Sequence, residues 1–181
     1  SPVYTYLDDD LVLHSELFDK VMFFFRETVK LSTMVNDLVN IAKLQGLLSD
    51  FKSYPTRAQL FYINKVLLLS LKAKKVAQVA IDEVKQGKSV VIGMSDTLEC
   101  ILRDVIVHED GSVRGDISAL LIRLLDKTVR RTNVLGDRET PIFDILQDSD
   151  DPEMVALISL AEEIRDYYRF ILHSIKEEVF H

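Results

Sequence analysis

The sequence has a single cysteine and no tryptophan in its 181 residues. A disulfide within the chain is thereby excluded, and a reducing, cytoplasmic setting is expected. Breakers are scarce, with six glycines and four prolines, which leaves room for long uninterrupted helices. Basic residues are outnumbered, 22 Lys and Arg against 29 Asp and Glu, for a formal charge of −7. An acidic chain makes a poor nucleic-acid binder on its own, because phosphate contacts need clustered Lys and Arg. No apolar run reaches the roughly 18 to 20 residues of a membrane span. No cleavable signal pattern opens the chain, so no membrane partner is expected. The chain starts Ser1-Pro2 without Met, as expected of an internal cut rather than a natural N-terminus.

Residue sets that carry chemistry are also missing. Asp8-Asp9-Asp10 lacks the alternating ligands and the glycine of a calcium loop. A di-iron bundle needs Glu-x-x-His on each of two helices, and His14, His108, His173 and His181 do not supply that pair. His108 lies beside Glu109 and Asp110 in what reads as an Asp-Gly turn, a solvated loop rather than a metal site. Cys100 has no neighbouring His to act as a base and reads as a small core residue. No catalytic, cofactor-binding or metal-binding residue is therefore expected in this chain.

What is present centres on residues 73–94. Val76, Val79, Ala80 and Val84 recur at helical spacing. Gln86 ends the pattern, and Gly87 supplies the left-handed position that stops a helix. Ser89-Val90-Val91-Ile92-Gly93-Met94 then forms a β-branched run suited to a strand covered on both faces. Gly87-Lys88-Ser89 is not a phosphate-binding loop. The required glycine five residues earlier is Asp82, and a helix precedes the tripeptide where a strand should.

The remainder is helical. Ser15 is a candidate N-cap for a long helix from Glu16 to about Gly46, broadly apolar from Leu17 to Leu44. Thr56-Arg57-Ala58-Gln59 has the spacing of a capping box. The helix that follows is apolar nearly all round from Leu60 to Leu69, which predicts burial on several sides. Ser95 to Glu99 opens a further helix. Val105-Ile106-Val107 and Ser112-Val113-Arg114 are placed to pair as a small hairpin. Asp116 caps a helix whose buried face is Ile117, Leu120, Leu121, Leu124 and Val129. Asn133 to Thr140 reads as a loop, and Pro141 as the first residue of a short helix. Asp151-Pro152-Glu153 starts a last helix that runs to about Val179.

Two local basic spots are the candidate contacts for nucleic acid: Lys72, Lys74 and Lys75 on one helix, and Lys127, Arg130 and Arg131 at the end of another. Their ordinary reading is a solvated helix face for the first and dipole complementation for the second.

Glu16 to Glu99 resembles the entry to the C-terminal helicase lobe of strawberry-notch-type proteins and the related bacterial and phage helicase–methylases. The resemblance rests on Gln59-Leu60-Phe61-Tyr62, Lys75-Val76, Glu83 to Lys88, Val90 to Gly93 and Ser95 to Glu99. It implies a parent that is a superfamily-2-type helicase or translocase acting on nucleic acid with ATP and magnesium. The Walker A and B motifs and the arginine-finger segment of that family are absent here, so none of its catalytic roles falls on a residue of this chain. A strand at Val90 to Gly93 taken out of its sheet would have open edges, and cover by helices or by a second copy is expected.

The expected architecture is mainly α, a multi-helix fragment of an α/β helicase lobe. It would hold about six helices, one short buried strand and a small hairpin. Residues 1–55 form the first helical segment, 56–107 a helix-strand-helix core and 108–181 a helical insert. Two functions are carried forward: a helicase-lobe fragment whose partners are the rest of its parent and, through it, DNA, or a helical interaction module; a third, a small metal- or ligand-binding helical enzyme, is the one the missing ligand spacings favour least. A homodimer through exposed apolar helices or the strand is compatible with both.

Overall fold

A computed structural model describes residues 15–46, 55–93, 106–107, 113–114, 117–132, 139–145 and 151–178. The fold is mainly α, with two small antiparallel ladders. Helix α1 spans Ser15–Leu44 without a break, about 45 Å at 1.5 Å per residue. Its inner stripe is Val21, Phe24, Phe25, Leu31, Val35, Leu38 and Ala42, all buried. Gly46, at φ 71°, turns the chain out of the helix.

Three helices make the core. Helix α3 (Ile117–Val129) buries Leu120, Leu121, Leu124, Leu125 and Val129, close to the face its spacing predicts. Helix α5 (Val155–Glu177) buries Leu157, Ala161, Ile164, Ile171 and Ile175. Both pack on α1 and on each other. The chain ends of α1 and α5 run in opposite directions: Lys20 pairs with Glu178 at 3.2 Å, and Tyr167 donates to Glu27 two turns further in. Each fully buried Leu or Ile in this seam contributes about 1.5–3 kcal/mol, so packing rather than propensity holds the long helices. A 3-10 turn at Pro152–Met154 precedes α5. The amide of Met154 bonds the Asp151 carbonyl at 3.0 Å, and no side chain caps α5, so Asp151 opens the 3-10 turn rather than capping the helix.

Helix α2 spans Thr56–Lys85 and departs from expectation at its start. The Gln59 amide bonds the Pro55 carbonyl at 3.1 Å, so Thr56 is already the first helical residue. Its hydroxyl is buried without a hydrogen-bond partner, and no side chain caps the helix; the expected capping box does not form. The first half of α2 is buried on one side only. Leu60, Ile63 and Leu67 face the core, while Phe61 and Tyr62 are exposed. The end of α2 follows the sequence closely. Gly87 takes φ 78°, its amide bonds the Val84 carbonyl at 2.9 Å, and the Lys88 amide bonds the Glu83 carbonyl at 3.1 Å. These are the paired bonds of a Schellman stop. The hydrophobic contact usual across that stop is replaced by an ion pair, Lys88 Nζ to Glu83 Oε2 at 2.6 Å.

The expected hairpin is present: β1 (Ile106–Val107) pairs with β2 (Val113–Arg114), with Val107 opposite Val113. A second ladder was not expected. Strands β3 (Arg130–Thr132) and β4 (Glu139–Pro141) pair antiparallel with Arg131 opposite Thr140, where the sequence reads as a helix end and a loop. Pro141 closes β4 at the edge of a two-stranded ladder, where its missing N–H is tolerated. It leads into the short helix α4 (Ile142–Ile145), whose Ile142 is buried.

The strand expected at Val90 to Gly93 does not form. Residues 88–93 have neither helix nor strand structure, and Val91 is 95% and Ile92 54% exposed. A β-branched run becomes a buried strand only where a neighbouring strand supplies its hydrogen bonds, and no strand pairs with it among the described residues. The helix expected from Ser95, Cys100, His108 and Asp116 lie outside the described residues.

Candidate functional site

The two basic spots have different fates. In the second, the helix ends at Val129 and the next residues turn into β3. That turn carries Arg131 inward, where it is 3% exposed. Its Nη1 donates to the carbonyls of Thr128 at 2.7 Å and Arg130 at 2.9 Å, and its Nη2 to Asn36 Oδ1 on α1 at 3.4 Å. The guanidinium thus sits at the negative end of the α3 dipole and satisfies carbonyls that a helix terminus leaves unpaired. Burial lowers its pKa. Arg130 is held by Asp126 at 2.7 Å, and Lys127 is half-buried with an interaction of its own. Dipole complementation, the ordinary reading of this spot, therefore describes it; Arg131 is structural and out of reach of a phosphate. In the first spot, Lys75 is exposed and Lys72 half-buried. Both lie on the part of α2 described below; the Lys74 side chain is outside the described set.

A belt of polar contacts crosses the bundle at one level. Glu27 accepts from Tyr167 and from Lys30 at 3.2 Å. Asp126 accepts from Arg130 and, at 3.4 Å, from Tyr168. Burial first, and then the Asp126 carboxylate, raise the Tyr168 phenol above its ordinary value. Each acid here faces a cation or a phenol, in line with an orienting role. No group of three or more His, Cys, Asp or Glu is placed to hold a metal among the described residues. The one Glu-x-x-His spacing, Glu178 to His181, ends outside them.

The surface that calls for an explanation is the second half of α2. Beyond Leu67 no described side chain of α2 is buried, over 18 residues or about 27 Å of helix. Ile81 is 50% and Val84 59% exposed, Ala73 and Ala77 are exposed, and Val76, Val79 and Ala80 are half-exposed. The exposed Val90, Val91 and Ile92 follow directly. The faces also change along the helix. At 100° per residue, Leu60, Ile63 and Leu67 define the inward side, and positions 78, 81 and 85 continue it with Gln78, the half-exposed Ile81 and Lys85. The apolar arc of the second half, Ala73, Val76, Ala77, Ala80 and Val84, is turned well away from it. Sequence reading placed Val84 on a helix face but missed its exposure. The signal was this shift of the apolar arc part-way along one helix.

No protein-family model matches the chain, and neither a curated protein nor a solved structure matches it. No described helix is long and apolar enough to cross a membrane.

Proposed function

We propose that the chain is a helical interaction module. The bundle of α1, α3 and α5 is its scaffold, and the second half of α2 with the apolar residues after it is its contact surface. The observation that carries this reading is the exposed apolar arc on α2, rotated off the inward side of the same helix. A monomeric domain rarely leaves so contiguous an apolar surface uncovered, and an amphipathic helix face is a common recognition element.

The test is photo-crosslinking in the cells that make the protein. A photoreactive residue at Val84, in the arc, is compared with one at Glu163, exposed on α5. The expected result is a discrete adduct from position 84 and none from position 163. No adduct from 84, or the same adducts from both, would overturn the reading.

The helicase-lobe reading retains one supporting observation. A β-branched run with no strand beside it, Val90 to Gly93, is what a sheet strand looks like without its sheet. On that reading the strand pairs within a longer parent that binds ATP, magnesium and nucleic acid. Its test is duplex-DNA affinity measured at low and moderate salt; a motor fragment that touches phosphate shows a steep loss of affinity with salt. The acidic charge and the inward Arg131 favour the interaction module over this alternative.

A further inference from the structure

Resting on that reading, we propose that the surface is controlled by local folding: residues 72–85 of α2 lose and regain their helix while the bundle stays folded.

The two halves of α2 are held by different forces. The first half is fixed by tertiary packing: Leu60, Ile63 and Leu67 are buried, and the helix packs on α1 and α3. Across residues 72–85 every described side chain is half-buried or exposed. Helices in proteins draw most of their stability from a packed apolar face, and a helix of about this length is marginal in water without one. Val76, Val79, Ile81 and Val84 weaken it further, because β-branched side chains lose rotamer freedom in a helix.

What remains are local terms. They are the paired backbone bonds of the stop at Gly87, the bond from Gln78 to Asp82 at 2.8 Å and the ion pair of Glu83 with Lys88. An exposed side-chain pair shifts a helix equilibrium only about twofold. Past the stop, residues 88–93 have neither helix nor strand structure and their side chains are exposed, so nothing described there anchors the far end.

The packed first half supplies a ready-made turn, so the second half grows from it without the cost of a nucleus. Its equilibrium is then set residue by residue, close to balance. In the coil form Val76, Ala80 and Val84 no longer share a side, and the apolar arc does not exist. The apparent affinity of a partner for the arc is reduced by the helical fraction. A change that favours the helix therefore strengthens binding without touching the contact itself.

The experiment is amide hydrogen exchange, read by NMR on the whole chain, for the wild type, Lys75→Gly and Lys75→Ala. Lys75 is exposed and, at 100° per residue, lies on the side of α2 away from the arc. The two variants remove the same charge and differ by about fivefold in helix equilibrium. Protection factors below about 30 are expected at residues 76–85, against about 10,000 or more at residues 31–38 of α1. Lys75→Gly is expected to lower protection at residues 76–85 about fivefold relative to Lys75→Ala and to leave α1 unchanged. Protection at residues 76–85 equal to that of α1, or a loss in Lys75→Gly that α1 shares, overturns the proposal, because α2 is then one unit with the bundle. The crosslinking result is separate. Local exchange with no discrete adduct from position 84 would sink the interaction reading and leave the local folding standing.

Discussion

Thr56 separates two physical accounts of how α2 begins, and they predict opposite signs for one substitution. If the hydroxyl capped the helix, as its spacing to Gln59 suggests, Thr56→Val would cost about 0.5–2 kcal/mol, the usual loss for a removed N-cap. In the structure Thr56 is the first helical residue, 3% exposed, with its hydroxyl oxygen unpartnered. A buried hydroxyl without a hydrogen bond is unfavourable by about 1–3 kcal/mol. Valine keeps the shape, replaces the oxygen with a methyl group and has nearly the same helix propensity. The net expectation is a gain of about 1 kcal/mol, or a melting temperature higher by about 2–4 °C for a chain of this size. Thermal melts by circular dichroism and urea titration read this directly. The urea midpoint should rise with an unchanged m-value. A fall of about 1 kcal/mol would refute the placement of Thr56 and restore the capping box.

Arg131→Ala should cost about 2–4 kcal/mol, because it empties a buried space and leaves the Thr128 and Arg130 carbonyls unpaired. Arg131→Lys should recover only part of this, since one ammonium cannot reproduce the guanidinium fork; urea midpoints check both. Gly87→Ala forces a side chain into φ 78°, at about 1–2 kcal/mol. The described side chains around that stop are not buried, so the effect should be faster amide exchange at residues 84–88 rather than a lower global melting temperature. Burial and Asp126 hold the Tyr168 proton more tightly in the folded state than in the unfolded chain, so its contribution is complete below about pH 10 and is lost as the pH rises through the folded value. Tyr168→Phe should flatten that alkaline decline, seen as a urea midpoint that falls less above about pH 10.

The helices were legible because the 3.6-residue period repeats many times. Leu120, Leu121, Leu124 and Val129 fix one face of α3 with no tertiary information, and Gly87 has a conformational reason to end α2. The β1–β2 hairpin was legible from two apolar runs around Asp110-Gly111. What failed was what depends on neighbours. Val90 to Ile92 have the composition of a buried strand, but composition cannot show that no strand lies alongside. Arg131 reads as one of three cations on the last turn of its helix, complementing the dipole, until the helix ends two residues before it and the chain turns it inward. Thr56 fits a capping box equally well when the helix starts one residue earlier. The contact surface was half legible: its valines and alanines were seen as a helix face, but the rotation of that face relative to Leu60, Ile63 and Leu67 emerges only when the inward side is known.

Two hydroxyls on the bundle's inner faces bond within their own helices: Thr28 to the Phe24 carbonyl at 2.7 Å, and Thr128 to the Leu124 carbonyl at 2.8 Å. Such bonds satisfy a buried polar group without reference to any neighbouring helix. They give no penalty to a helix that slides or rotates against the next one. The apolar stripes are nearly as permissive, since apolar side chains repeat at similar spacing along all three helices. Discrimination between one alignment and its one-turn alternatives therefore falls on cross-helix polar contacts, among them Tyr167 with Glu27, Tyr168 with Asp126 and Arg131 with Asn36 inside the bundle, and Lys20 with Glu178 at its end. Replacing the three inside the bundle by apolar residues of similar size would leave a bundle that still melts at high temperature but populates several packings, visible as broadened side-chain resonances. In this bundle the leucines supply the stability, and two tyrosines and an arginine select which arrangement is the native one.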